Sequence, residues 1–143
     1  AAREIGRLTK RDLLMLGIGL YLGEGSKTHE RIRIINSDPK ILILAIKWFK
    51  NICKLQTINI TPEVHIYPDI NQSTAIKYWS KILNIPKKQF GKTQIDKRTN
   101  KSLKKKNKLP YGTVHLAIKS FGNKELGVSL HRKIIGWIEH SLK

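Results

Sequence analysis

The chain has 143 residues, enough for one domain with a real core, and carries 28 Lys and Arg against 10 Asp and Glu, a net charge of +18. So large an excess on so small a body calls for a polyanionic partner, nucleic acid by default. The longest apolar runs, Leu13 to Gly23 and Ile41 to Ile46, are too short to span a bilayer and no basic amphipathic helix dominates, which argues against a membrane partner.

The chain begins Ala1-Ala2 without methionine, as expected of a processed or excised piece of something longer. Nothing resembles a secretory signal, so an intracellular setting is expected, cytoplasm, nucleoid or organelle matrix. Thr9 followed by Asp12 reads as an N-cap with an acid in the first turn, and predicts a helix over roughly 9 to 24. That helix is an unbroken apolar and glycine run, Leu13 to Gly23, ending in one carboxylate, Glu24. A glutamate beside the unpaired carbonyls and partial negative charge of a helix C-terminus is locally unfavourable, so something positive should offset it. Gly25 is expected in the left-handed position that stops the helix, leaving Glu24 beside the free carbonyl of Gly23. Together these are hard oxygen ligands of the kind magnesium takes, with waters and a substrate phosphate completing the shell. The competing reading is a helix-end carboxylate neutralised by Lys27. Gly17, Gly19 and Gly23 each cost roughly 1 kcal/mol against alanine inside a helix. Gly19 and Gly23 share a face, flanked by Leu16 and Leu20, where two backbones could touch.

Arg31-Ile-Arg-Ile34 alternates as a strand with isoleucines inward, its only partner material lying near Ser26 to His29. Ser37-Asp38-Pro39 starts a second helix running to about Cys53 through Ile41, Leu42, Leu44, Ala45, Trp48, Phe49 and Ile52. Cys53, the single cysteine, reads as a buried reduced thiol, since no histidine is placed by sequence to activate it. Residues 57 to 67 read as strand material with Ile58, Ile60, Val64 and Ile66 on the inner side; because Pro62 cannot donate within a ladder, a tight hairpin around Pro62 and Glu63 is expected. Gln72 to Leu83 is predicted as a third helix burying Ile76, Trp79, Ile82 and Leu83. Strands over about 90 to 98 and 112 to 120 should flank a long basic connection, about 99 to 111. A last helix is expected from Asn123 as N-cap to Leu142, with Leu126, Leu130, Ile134, Ile138 and Leu142 in one apolar stripe. This order places residues 1 to 143 in a single α+β domain without internal repeat.

The segment Gly17-Ile-Gly-Leu-Tyr-Leu-Gly-Glu-Gly25 resembles the motif of the LAGLIDADG homing endonucleases, matching at Gly19, Leu20, Glu24 and Gly25, with Gly23 in place of a small alanine. It departs at Gly17 and Leu22 and has glutamate where aspartate is commoner. With one copy of the motif, the resemblance implies a homodimer whose motif helices pack at the two-fold axis through Leu16, Gly19, Leu20 and Gly23. It further implies an antiparallel or mixed sheet, saddle-shaped over double-stranded DNA and backed by helices. Magnesium held by Glu24 and the Gly23 carbonyl would serve a staggered cut across the minor groove at a long, partly symmetric site. A lysine from the sheet region often stabilises the pentavalent phosphate in this family, and Lys92 is the first choice here, Lys88 the next.

The outward faces of the proposed strands offer Arg31 and Arg33, His65 and Tyr67, Lys92, Gln94 and Arg98, then His115 and Lys119, interrupted only by Glu63 and Asp96. Arginine and glutamine can read base edges, while lysine mainly neutralises phosphate. The plain alternative is the polar side of any half-exposed sheet. Lys104, Lys105 and Lys106, with Lys27 and Lys88, extend the expected DNA contact; as a charge run the former three also fit a solvated loop that orders on phosphates. One cysteine and scattered histidines argue against zinc. The expectation is therefore a magnesium-dependent, homodimeric endonuclease on double-stranded DNA, with no membrane and no small-molecule substrate. The rivals are a LAGLIDADG-derived DNA or RNA binder that no longer cuts, serving transcription or intron splicing, and an unrelated basic RNA-binding protein.

Overall fold

The computed structural model describes residues 1–98 and 109–143. A first helical turn, α1 (Ala2–Ile5), precedes α2 (Lys10–Glu24). Thr9 caps α2 as expected: its side chain accepts from the Asp12 amide at 3.2 Å and Asp12 accepts from the Thr9 amide at 2.7 Å, a reciprocal capping box. Then follow β1 (Arg33–Asn36), α3 (Pro39–Asn51), β2 (Ile60–Ile66), α4 (Gln72–Leu83), β3 (Gln94–Ile95), β4 (Thr113–Ile118) and α5 (Val128–Ser141). The strands form one mixed sheet in the order β1-β4-β2-β3; β4 is antiparallel to both neighbours and β3 runs parallel to β2. The helices cover one side of it. Ile34, Ile60, Val64, Val114 and Leu116 meet Tyr21, Leu42, Ala45, Trp48, Phe49, Ala75 and Ile134 in a single core from which all are sealed off from solvent. The architecture is thus α+β, two layers deep, with the second sheet face left uncovered by any described helix.

Several expectations are corrected. Residues 60 to 66 form one continuous strand, not a hairpin at Pro62. In a strand the N–H and C=O of one residue point to the same side, and the Pro62 carbonyl accepts from Gly91 at 2.9 Å. Its missing donor therefore faces the β3 side, before β3 begins to pair, and no ladder bond to β4 is lost. Ile58 lies in a 3₁₀ turn and is 58% exposed. The strand expected over 90 to 98 shrinks to Gln94–Ile95. Asn123 caps a 3₁₀ turn (Lys124–Leu126) through the Glu125 amide, and α5 starts only after Gly127; the stripe ends at Ile138, since Leu142 is exposed. Ile82 also faces solvent. Cys53 is buried, as expected, and burial pushes its thiol up to about 12.

Candidate functional site

The end of α2 is held from several sides. Tyr21 is fully buried, and its hydroxyl donates to the Ser26 carbonyl at 2.7 Å while receiving the Arg33 amide at 3.4 Å. Burial raises the Tyr21 hydroxyl to about 12, so it stays a donor. The Ser26 amide donates to the Arg33 carbonyl at 2.8 Å, and the His131 imidazole, buried on α5, lies 3.2 Å from the Ser26 carbonyl through Nε2. Gly25 pairs with Ile34 in an isolated bridge, the remnant of the partner expected near Ser26. Its conformation corrects the sequence reading: φ is −86°, extended rather than left-handed. Glycine is needed there for a different reason, because any Cβ would collide with the Tyr21 ring.

This scaffold presents Glu24 to solvent, with no hydrogen bond or ion pair among the described residues. Lys27 does not neutralise it; its Nζ donates to the Gly25 carbonyl at 3.0 Å. The Tyr21 carbonyl accepts from Gly25 at 2.8 Å, whereas that of Gly23, in the last turn, has no intrahelical partner. A carboxylate and a free carbonyl on successive residues are donors of the kind a hard cation such as magnesium takes. Among the described residues no three His, Cys, Asp or Glu gather as a metal-holding group, so the remaining donors would be waters, phosphate or a second chain.

Along α2, Gly17 is buried against the Trp48 indole, which an added Cβ would strike, so glycine is required there. Leu16, Gly19 and Gly23 are exposed and Leu20 half-buried; nothing lies within 4 Å of a Cβ built on either exposed glycine. Met15 and Leu22, 40% and 39% exposed, extend this bare apolar face and were not picked out by sequence reading, although they follow the same helical spacing.

The uncovered sheet face carries three cross-strand rows: Arg33, Ala117 and Thr61; Ile35, His115 and Glu63; Thr113, His65 and Gln94. The alternation expected from sequence thus brings Arg33, His65, Gln94 and His115 together. The two imidazoles stack in parallel, 3.6 Å apart with an interplanar angle of 3°. Arg33 Nε, His65 Nε2 and His115 Nδ1 are shut off from solvent without a hydrogen-bond partner among the described residues. Burial, then His65 and Arg33, push His115 down to about 4; burial is also the main cause lowering His65, partly countered by Glu63. At one end of this face a groove of about 440 Å³ is lined by Arg31, Arg33 and Lys119 together with Glu30 and Glu63.

Tyr67 follows β2, half-buried, and Arg98 is held by Asp96 in a forked ion pair at 2.6 Å. Lys88 and Lys92 are exposed at the β3 edge. Gly25 pairs outside β1, so Lys92 and Glu24 stand at opposite edges, about four strand spacings or roughly 19 Å apart. One chain therefore does not bring them together. Lys104, Lys105 and Lys106 lie outside the described residues. No described helix is long and apolar enough to cross a membrane. Compared with known proteins, the chain matches no family model, no curated protein and no solved structure.

Proposed function

We propose that this chain is one subunit of a homodimeric, magnesium-dependent endonuclease of LAGLIDADG type acting on double-stranded DNA. One observation carries the reading: an unpartnered carboxylate, Glu24, stands beside a well-fastened backbone turn at the end of a helix whose glycine-bearing flank is bare. A pure binder has no use for a carboxylate facing phosphates, which would repel it. Glu24 and the Gly23 carbonyl would hold the ion, which would supply Lewis-acid polarisation of a phosphate oxygen and acidify a bound water. Leu16, Gly19, Leu20 and Gly23 meet their copies on the second chain, bringing two carboxylates together, one for each strand. Arg33 and Gln94 face base edges from the uncovered sheet, while Arg31, Lys27 and Lys119 neutralise phosphates. With its own Glu24 out of reach, Lys92 would serve a phosphate aligned by the other subunit.

The test is incubation with a randomised duplex library, with and without magnesium, followed by sequencing of the ends. Staggered ends at a recurrent site, only with magnesium and only with Glu24 intact, are expected. Selection of a recurrent site without new ends would replace this reading by that of a non-cutting binder.

A further inference from the structure

The α3 and α4 helices hold five lysines and no acid, a pattern that differs from the usual solvated helix, in which acids four residues away offset the cations. Their placement is one-sided. At about 100° per residue, Lys40, Lys47 and Lys50 fall within an arc of roughly 80° centred opposite the buried Leu42, Ala45, Trp48 and Phe49, and Lys54 lies just past the helix end. On α4, Lys77 and Lys81 likewise stand opposite Ala75, Trp79 and Leu83. Both helices pack on the inner side of the sheet, so these lysines point away from the face that carries Arg33, His65 and His115. All six are exposed, and none makes an ion pair among the described residues. Asp38 and Asp69 precede the two helix N-termini in the sequence, and neither helix carries a carboxylate of its own. Like charges three and four residues apart, Lys47 with Lys50 and Lys77 with Lys81, cost a few tenths of a kcal/mol each in the free protein.

We infer that the α3–α4 face is a second nucleic-acid surface, one that grips the phosphate backbone of a duplex other than the segment on the sheet. Its chemistry is lysine alone, with no arginine or glutamine among the six, which suits sequence-independent contact. From Lys40 to Lys50 the array runs about 15 Å, some four phosphates of one strand at 3.4 Å each. A protein with opposed cationic faces bridges two segments. This inference rests on the reading that the sheet binds a duplex and not on whether the chain cuts.

The experiment uses two short duplexes of scrambled sequence, one with a donor and one with an acceptor fluorophore, mixed with wild type or with K47Q/K50Q/K77Q/K81Q. Glutamine keeps helix propensity, and far-UV circular dichroism checks the fold. Wild type should give energy transfer that disappears as salt rises. The quadruple variant should lose the transfer while the first phase persists, and any residual second phase should show a slope of log affinity against log salt smaller by about 3.6 for the four cations removed. Undiminished transfer in the variant overturns the inference, as does a wild type that binds duplex in one phase without transfer. Wild type that engages anionic vesicles or an acidic peptide through these lysines but does not bridge duplexes overturns it as well. None of these outcomes bears on the magnesium-dependent cleavage test.

Discussion

Replacing Gly17 by alanine should destabilise the fold, whereas the same change at Gly19, two residues along the same helix, should stabilise it. Alanine gains about 1 kcal/mol over glycine in a helix interior, and that gain is common to both sites. At Gly19 the new Cβ meets nothing within 4 Å and the gain is retained. At Gly17 it lands on the Trp48 indole, fully buried and wedged between the Tyr21 and Phe49 rings at centroid distances of 6.1 and 5.4 Å. Overpacking of this sort costs about 1–3 kcal/mol, and this strain is the whole difference between the two variants. At about 3 °C per kcal/mol for a domain of this size, the variants should melt about 3–9 °C apart. Thermal unfolding in dilute solution, where self-association contributes least, measures it. A Gly17→Ala variant melting at or above Gly19→Ala would refute the close packing of α2 on Trp48. A leucine at Gly19 extends the same experiment: the monomer should still fold, and sedimentation should show self-association lost relative to wild type.

In the proposed nuclease, Glu24→Gln should abolish magnesium-dependent cutting and leave DNA affinity equal or higher, since one carboxylate no longer faces phosphates; cutting at the wild-type rate in a nicking assay would sink the catalytic assignment. His115 should make the fold acid-sensitive. With its imidazole held at about 4 against an ordinary 6.5, the unfolded chain takes up the proton first, so stability is retained above pH 6.5 and falls as pH drops toward 4. The shift corresponds to about 3 kcal/mol, reduced to about 1–2 for a ring that is half in water. Urea unfolding at pH 7 and 4.5 should show this loss in wild type and a smaller one in His115→Gln; equal losses would contradict it. Tyr21→Phe removes the donor to Ser26 and leaves that half-buried carbonyl with His131 alone, which should cost about 0.5–1.5 kcal/mol and raise amide exchange at Gly25 and Ser26. Unchanged exchange there would mean that the turn after Glu24 is held by other contacts.

The elements legible in the sequence are those whose signals are local. Thr9 with Asp12 and Asp38 with Pro39 each fix a helix start by side-chain capping, and both hold; Asn71 caps α4 in the same way without having been singled out. The alternation at Ile32 to Ile34 and His65 to Ile66 put the right residues on the uncovered face. What failed depended on how side chains and strands pack in three dimensions, in most cases with neighbours far along the chain. Pro62 reads as a breaker until the direction of its missing N–H is known, and that depends on Gly91 lying where β3 has yet to pair. Gly25 reads as a left-handed stop until Tyr21 is seen against it. The His65–His115 stack joins strands 50 residues apart, so each histidine alone carries no signal of the other. For His131 nothing in the sequence pointed to Ser26, more than 100 residues earlier.

Both faces of α2 share one composition but are treated differently by the fold. On one side Gly17 admits Trp48, and Tyr21 and His131 converge on Ser26, so every unusual residue is explained by a contact. On the other, Gly19 and Gly23 touch nothing while Met15, Leu16 and Leu22 remain in water. Alanine at both glycines would strengthen the isolated helix by about 2 kcal/mol, a sizeable share of the 5–15 kcal/mol that holds a domain together. Polar residues in place of the three exposed side chains would remove an aggregation liability at no cost to the core. A helix shaped only by its own subunit would therefore look different. Small residues in a row beside exposed apolar ones are what close approach of a second helix requires, and this is why the partner chain is proposed here and not at the equally exposed but lysine-bearing α3.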